Sequence, residues 1–150
     1  MVHDFKRFPE LTNSQMAVYY FESPHKQIFE GFHARVVKVT DGDTVMVRWS
    51  QRNFDFPVRF ADTNAPEMKD EGGKESKSWL EQRIMNAEVD ILVDPRKRVG
   101  KFGRLIGTIV SDGANINQES IMAGHAMPFN TREEGQIPDI NKMMNAGKIE

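Results

Sequence analysis

Three short stretches of alternating apolar and polar residues, joined by tight turn signals, constrain this chain more than any other feature. Phe32–Thr40 sets Val37 and Val39 around Lys38, and Thr44–Ser50 sets Val45, Val47 and Trp49 around Met46 and Arg48. Phe56–Ala61 carries Phe56, Val58 and Phe60 on one side and Arg59 on the other. A period of two is the signature of strands half buried against a core. Asp41-Gly42, between the first two stretches, is a hairpin signal, and Gln51-Arg52-Asn53 turns the chain again.

The period then lengthens. Lys74–Ala87 places Leu80, Ile84 and Ala87 on one helical stripe with Trp79 beside it. Alternation returns at Glu88–Val93, through Val89, Ile91 and Val93, and a further strand is predicted at Leu105–Val110. Asp112-Gly113 makes a turn, Asn115 or Asn117 starts a helix through Gln118–Ala123, and Gly124 ends it. A last helix is expected at Asp139–Ala146. Three strands, a helix, two strands and a helix fit an α+β, mainly β fold: a five-stranded OB-type β-barrel with about three helices. Residues 1–30 read as an N-terminal extension ahead of a domain at 31–150. In the extension Thr12 or Asn13 caps a short helix over Ser14–Glu22, which Ser23-Pro24 ends.

A chain of 150 residues can bury one sizeable core. Its net charge of −2 means that any polyanion site has to come from local clustering of Lys and Arg. The absence of cysteine excludes disulfides and thiolate metal sites. No apolar run approaches the roughly 20 residues of a membrane span, and no apolar stretch follows Met1–Arg7 as a leader would require. A soluble cytoplasmic monomer is the expectation, with the mature part of a secreted protein as the alternative.

Three segments carry chemistry. Asp41-Gly42-Asp43-Thr44 puts carboxylates at a turn, where a hard cation can be held. Arg59-Phe60-Ala61-Asp62-Thr63-Asn64-Ala65-Pro66-Glu67 links a strand Arg, able to fork onto phosphate oxygens, to a loop carboxylate able to accept a proton. In Arg96-Lys97-Arg98-Val99-Gly100-Lys101-Phe102-Gly103-Arg104, five of nine residues are cationic and no acid occurs between Asp94 and Asp112. Such a run attracts phosphate backbones, and Phe102 offers a face for a base. Each segment alone has a plain structural reading as turn, surface pair or solvated loop. The four histidines lack i, i+4 pairing and read as structural or surface groups.

Taken together, the three segments resemble the staphylococcal nuclease family. The resemblance covers about residues 32–129 and rests on Asp-Gly-Asp-Thr, on Arg and Glu separated by seven residues with Pro before the Glu, and on Phe-Gly-Arg. Asn115-Ile116-Asn117 and Gly124-His125-Ala126 resemble the family's last helix and its exit. The resemblance implies a metal-dependent nuclease that cuts DNA or RNA, preferably single-stranded, at the 5′ P–O bond to leave a 3′-phosphate. It implies Arg59 and Arg104 on the scissile phosphate and Glu67 as general base. It implies Ca²⁺ held by Asp43, Asn64 and the Ala65 carbonyl, and substrate contacts from Arg96, Lys97, Lys101 and Phe102. Two departures stand out. Asn64 replaces a carboxylate, which points to weaker calcium binding or to Mn²⁺ or Mg²⁺ instead, with Asp62 as a nearby substitute. Phe102 stands where Tyr is common, and Phe129-Asn130 offers no counterpart to the family's other pocket tyrosine. The alternative is a non-catalytic module of the same fold that binds nucleic acid or peptide.

Overall fold

The computed structural model describes residues 3–100 and 103–128. Its body is a β-barrel of five strands: β1 (Phe32–Asp41), β2 (Thr44–Arg48), β3 (Phe56–Phe60), β5 (Glu88–Leu92) and β6 (Leu105–Ser111). Antiparallel pairing runs β3-β2-β1-β5-β6, and parallel pairing of β3 with β6 closes the cylinder. Closure leaves no open edge and encloses a layer of side chains. Val45, Val47, Phe56, Val58, Phe60, Val89, Ile91, Leu105 and Ile109 fill it, as the alternation requires. Helix α2 (Gly73–Ile84) plugs one end with Leu80 and Ile84, and α3 (Ile116–Met122) adds Ile116. The short strands β4 (Thr63–Asn64) and β8 (Met127–Pro128) pair outside the barrel, and β7 (Ala114–Asn115) lies on β6.

Strand β1 departs from the sequence expectation. Its pairing with β2 shifts between Val36 and Lys38 and again between Val39 and Asp41. Each bulge inserts a residue and inverts the alternation. Val36 and Val39 are therefore buried and Val37 is only half-buried. The predicted helix at Asp139–Ala146 lies outside the described residues.

The N-terminal segment packs onto the barrel. Thr12 and Gln15 form a reciprocal capping box for α1 (Asn13–Tyr19), which runs on into a 3₁₀ turn at Tyr20–Glu22. That helix buries none of its own residues. The residues on either side do the docking: Leu11 and Ile28 are buried, Leu11 fully, and Glu10 is buried with them. Among the described residues no helix is long and apolar enough to cross a membrane.

Candidate active site

The site forms where the β1–β2 turn, the end of β3 and the loop to β4 meet the start of α2. Gly42 makes this approach possible. A Cβ there would lie 2.0 Å from Ser76 Oγ and 2.7 Å from Ala65 Cβ, so any side chain would push the turn off the helix. Ser76 is buried and its hydroxyl donates to the His125 carbonyl at 2.8 Å, which ties α2 to the exit of α3. Asn117 at the start of α3 accepts from Ile109 N–H at 3.1 Å and donates to the Ala61 carbonyl at 3.0 Å. The loop that carries Asn64 and Ala65 is thus anchored from two sides.

Asp43 sits at the centre. It is buried, its Oδ2 accepts from the Ala65 N–H at 2.8 Å, and its Oδ1 accepts from Thr44 Oγ1 at 3.2 Å. Asp41 Oδ1 accepts the Asp43 N–H at 3.0 Å, which brings a second carboxylate alongside. Burial pushes the Asp43 carboxyl up to about 7 and the neighbouring Asp41 adds to the rise, with Arg59 and the Ala65 N–H pulling the other way.

Arg59 reaches into the same corner. Nη1 donates to the Thr63 carbonyl at 2.6 Å and the Phe60 carbonyl at 3.1 Å. Nη2 donates to Asn64 Oδ1 at 3.3 Å and lies 3.4 Å from Asp43 Oδ2. Burial lowers its pKa, Asp43 and Asp41 oppose the change, and the positive charge of Arg104 adds to it. That mutual repulsion places the two guanidiniums within electrostatic reach. The strand register agrees. Arg59 pairs with Ile106 across the parallel β3–β6 contact, and Arg104 stands immediately before β6, two residues from Ile106. Arg59 beside Asp43, with the charge of Arg104 felt at Arg59, gives the corner a cationic side next to an oxygen-rich one.

The profile of the staphylococcal nuclease homologue family matches residues 57–148 of this chain. The chain belongs to that family. It is also similar to uncharacterized endonucleases of Escherichia coli and of Escherichia coli O157:H7, each 34% identical over 98 residues, which is 65% of this chain and 61% of the relative. An uncharacterized endonuclease of Haemophilus influenzae is 30% identical over 95 residues, 63% of this chain and 51% of the relative. The chain thus spans between about half and three fifths of the length of these relatives. The family match includes Arg59, Asn64, Glu67 and Arg104, while Asp41 and Asp43 precede it.

Of the residues that the family resemblance singled out, Asp43, Arg59, Asn64 and Ala65 come together here, and the charge of Arg104 is felt at Arg59. Glu67 lies on the same loop, but its carboxylate is 69% exposed and lies 3.9 Å from Lys69 Nζ. Arg96 and Lys97 are exposed on the loop after β5, with Arg96 Nε 3.6 Å from Asp94 Oδ1. Lys101, Phe102, Phe129 and Asn130 lie outside the described residues. Asp62, the nearby carboxylate that could compensate for Asn64 only if the loop were rearranged, occupies a left-handed turn position (φ 54°) and is exposed. Arg98 departs from the basic-run reading: only 1% exposed, it faces inward rather than toward a polyanion. Asp41 was not among the residues read from the sequence as metal ligands, although its place two residues before Asp43 at a hairpin turn was the available signal.

The donor set suits a hard divalent cation. Asp43, Asp41, the Asn64 amide oxygen and the Ala65 carbonyl are all oxygens. The buried Asp43 carboxyl, whose charged form is disfavoured by desolvation, is the kind of group that a cation would hold ionised. Among the described residues no three Asp, Glu or His side chains gather, so an amide and a carbonyl have to supplement the two acids.

Proposed function

We propose that this chain is a divalent-metal-dependent nuclease that hydrolyses phosphodiester bonds in DNA or RNA, with single strands preferred. The observation that carries this reading is the convergence of Arg59 with Asp43 and Asn64 in one corner, with the charge of Arg104 within electrostatic reach of Arg59. Family membership and relatives named endonucleases support it.

Arg59 and Arg104 bind two oxygens of the scissile phosphate and neutralise charge that builds on them as phosphorus becomes five-coordinate. Arg59 is held in place by four acceptors, so little reorganisation accompanies the reaction. Asp43, Asn64 and the Ala65 carbonyl hold the cation, with Asp41 beside them. A bound Ca²⁺, Mn²⁺ or Mg²⁺ supplies Lewis acidity toward a phosphoryl oxygen. Glu67 orients the attacking water and takes its proton as the new P–O bond forms. The bond to the 5′ oxygen breaks, that oxygen takes a proton from a solvent water, Glu67 returns its proton to solvent, and a 3′-phosphate and a 5′-hydroxyl leave. Arg96, Lys97, Lys101 and Phe102 carry the flanking strand, so cleavage falls as salt rises.

The test is incubation with single-stranded DNA and RNA at millimolar Ca²⁺, Mn²⁺ or Mg²⁺, with a chelator control. Metal-dependent cleavage, absent with chelator and lost in Arg59→Ala and in Glu67→Ala, supports the reading. Binding without cleavage under every metal supports the second reading, a non-catalytic module. Asn64 in place of a carboxylate and the outward carboxylate of Glu67 are the observations that favour it.

A further inference from the structure

The N-terminal segment grips the loop that delivers Arg104, at three places. At its start, Asn13 Nδ2 donates to the Pro95 carbonyl at 3.1 Å. In its middle, the buried guanidinium of Arg98 donates to Glu10 Oε2 at 2.5 Å, to the Ile28 carbonyl at 2.5 Å and to the Leu11 carbonyl. At its end, Phe8 lies so close over Gly103 that a Cβ there would be 2.6 Å from Phe8 Cδ1. Gly103 has a φ of +73° and immediately precedes Arg104.

The loop transmits that grip through its own backbone. The Arg98 carbonyl accepts from Ile106 N–H at 2.8 Å, and Gly100 N–H donates to the Arg104 carbonyl at 2.9 Å. Arg98 and Arg104 are therefore held across one hairpin, and the hairpin is pinned from outside by Glu10 and Phe8. Glu10 is pinned in turn: its Oε1 accepts from Arg52 Nη2, and its Oε2 accepts the Ile28 N–H at 3.0 Å. Phe8, Glu10 and Asn13 all lie well before Pro57, where the family match begins.

We propose that residues 3–28 act as a brace that fixes the Arg98–Ile106 hairpin and thereby sets the position of the Arg104 guanidinium beside Arg59, with Phe8 and Glu10 as positioning residues. The catalytic part of this proposal rests on the nuclease reading; the mechanical part stands without it. A guanidinium displaced by about 1 Å from a developing charge loses a large part of its effect. The brace therefore acts on the chemical step, while strand binding by Arg96 and Lys97 is left nearly intact.

The experiment is a double-mutant cycle read two ways in the full chain. Phe8→Ala, Arg104→Ala and the double variant are assayed for cleavage of a single-stranded oligonucleotide, with Glu10→Gln as a second probe of the brace. Native-state amide exchange is measured at Gly100, Gly103 and Ile106 in each. The expected result for Phe8→Ala is a kcat lowered about tenfold to a hundredfold with KM nearly unchanged, and faster exchange at the hairpin while barrel amides such as Val45 and Val58 keep theirs. In the Arg104→Ala background the Phe8→Ala loss is expected to vanish, an outcome that general destabilisation does not produce. Unchanged kcat and unchanged hairpin exchange in both Phe8→Ala and Glu10→Gln overturn the proposal. So does a loss that persists in full without Arg104. If the wild-type chain cleaves nothing while hairpin exchange still accelerates in the variants, the nuclease reading fails and the brace stands.

Discussion

Among the described residues two clusters bring a buried acid to arginine, and they are built to opposite specifications. In the brace, Glu10 faces Arg52 and Arg98, and both of its oxygens are used. Arg98 donates to the Ile28 and Leu11 carbonyls as well as to Glu10, and Arg52, whose Nε and Nη1 are buried without a hydrogen-bond partner, lies over Phe56, Phe54 and Trp49, with 4.5 Å to the Phe56 ring centroid. At the candidate active site the acid is in excess: Asp41 crowds Asp43, one Arg59 contact at 3.4 Å offsets it, and the Asp43 carboxyl is pushed up to about 7. A cluster in which one buried carboxylate bridges two guanidiniums from distant parts of the chain is a structural joint. A cluster in which burial and a second acid disfavour the ionised carboxyl costs stability, and under the nuclease proposal it is where the cation would sit.

That contrast can be broken by experiment. The largest effect is expected at the brace. Glu10→Ala strands two buried guanidiniums and should destabilise the fold by about 3–5 kcal/mol, read from chemical denaturation. Stability within error of the parent would mean that the cluster is no joint at all. Next comes Arg59→Ala, expected to lower kcat about 10²–10³-fold, or roughly 2.7–4 kcal/mol of transition-state stabilisation. A loss confined to KM would assign Arg59 to substrate binding alone.

The third prediction has the sign opposite to the first. Asp43 has its folded pKa raised from 3.8 to about 7, so its ionised form weakens the fold. The penalty is fully present at pH 8, fades as pH falls through about 7, and is gone below 3.8. Asp43→Asn in chelator should therefore be more stable than the parent at pH 8, by about 1–2 kcal/mol after allowance for the lost Arg59 contact. Thermal unfolding at pH 8 and pH 5 should show that advantage shrinking at the lower pH. An equal or larger advantage at pH 5 would remove the claim of excess negative charge. The smallest effect is expected for Asn64→Asp, which adds a charge to the oxygen set and should tighten calcium binding about tenfold by calorimetry. Unaltered affinity would take Asn64 out of the ligand set.

Much of the barrel was legible from period-two alternation in β2, β3, β5 and β6, since each strand shows one face to the core. The reading failed in β1, where two bulges invert the pattern and nothing local in Phe32–Asp41 announces them. The candidate site was legible through the family resemblance: Asp43, Arg59, Asn64 and Ala65 meet, and Arg104 lies within electrostatic reach of Arg59, although 61 positions separate Asp43 from Arg104 (104 − 43). Arg98 was illegible, because a charge run looks alike whether its members face water or a buried carboxylate 88 residues earlier.

The sequence by itself determined the strand faces, the turns at Asp41-Gly42 and Asp112-Gly113, and the residue types at the reactive corner. These are set by local periodicity and by backbone preference, which act between near neighbours. Only the tertiary structure decided which arginine is joint and which is tool, and that a segment outside the family match holds the Arg104 hairpin. Those outcomes depend on desolvation and on long-range hydrogen bonds, which exist only after distant parts of the chain have packed together.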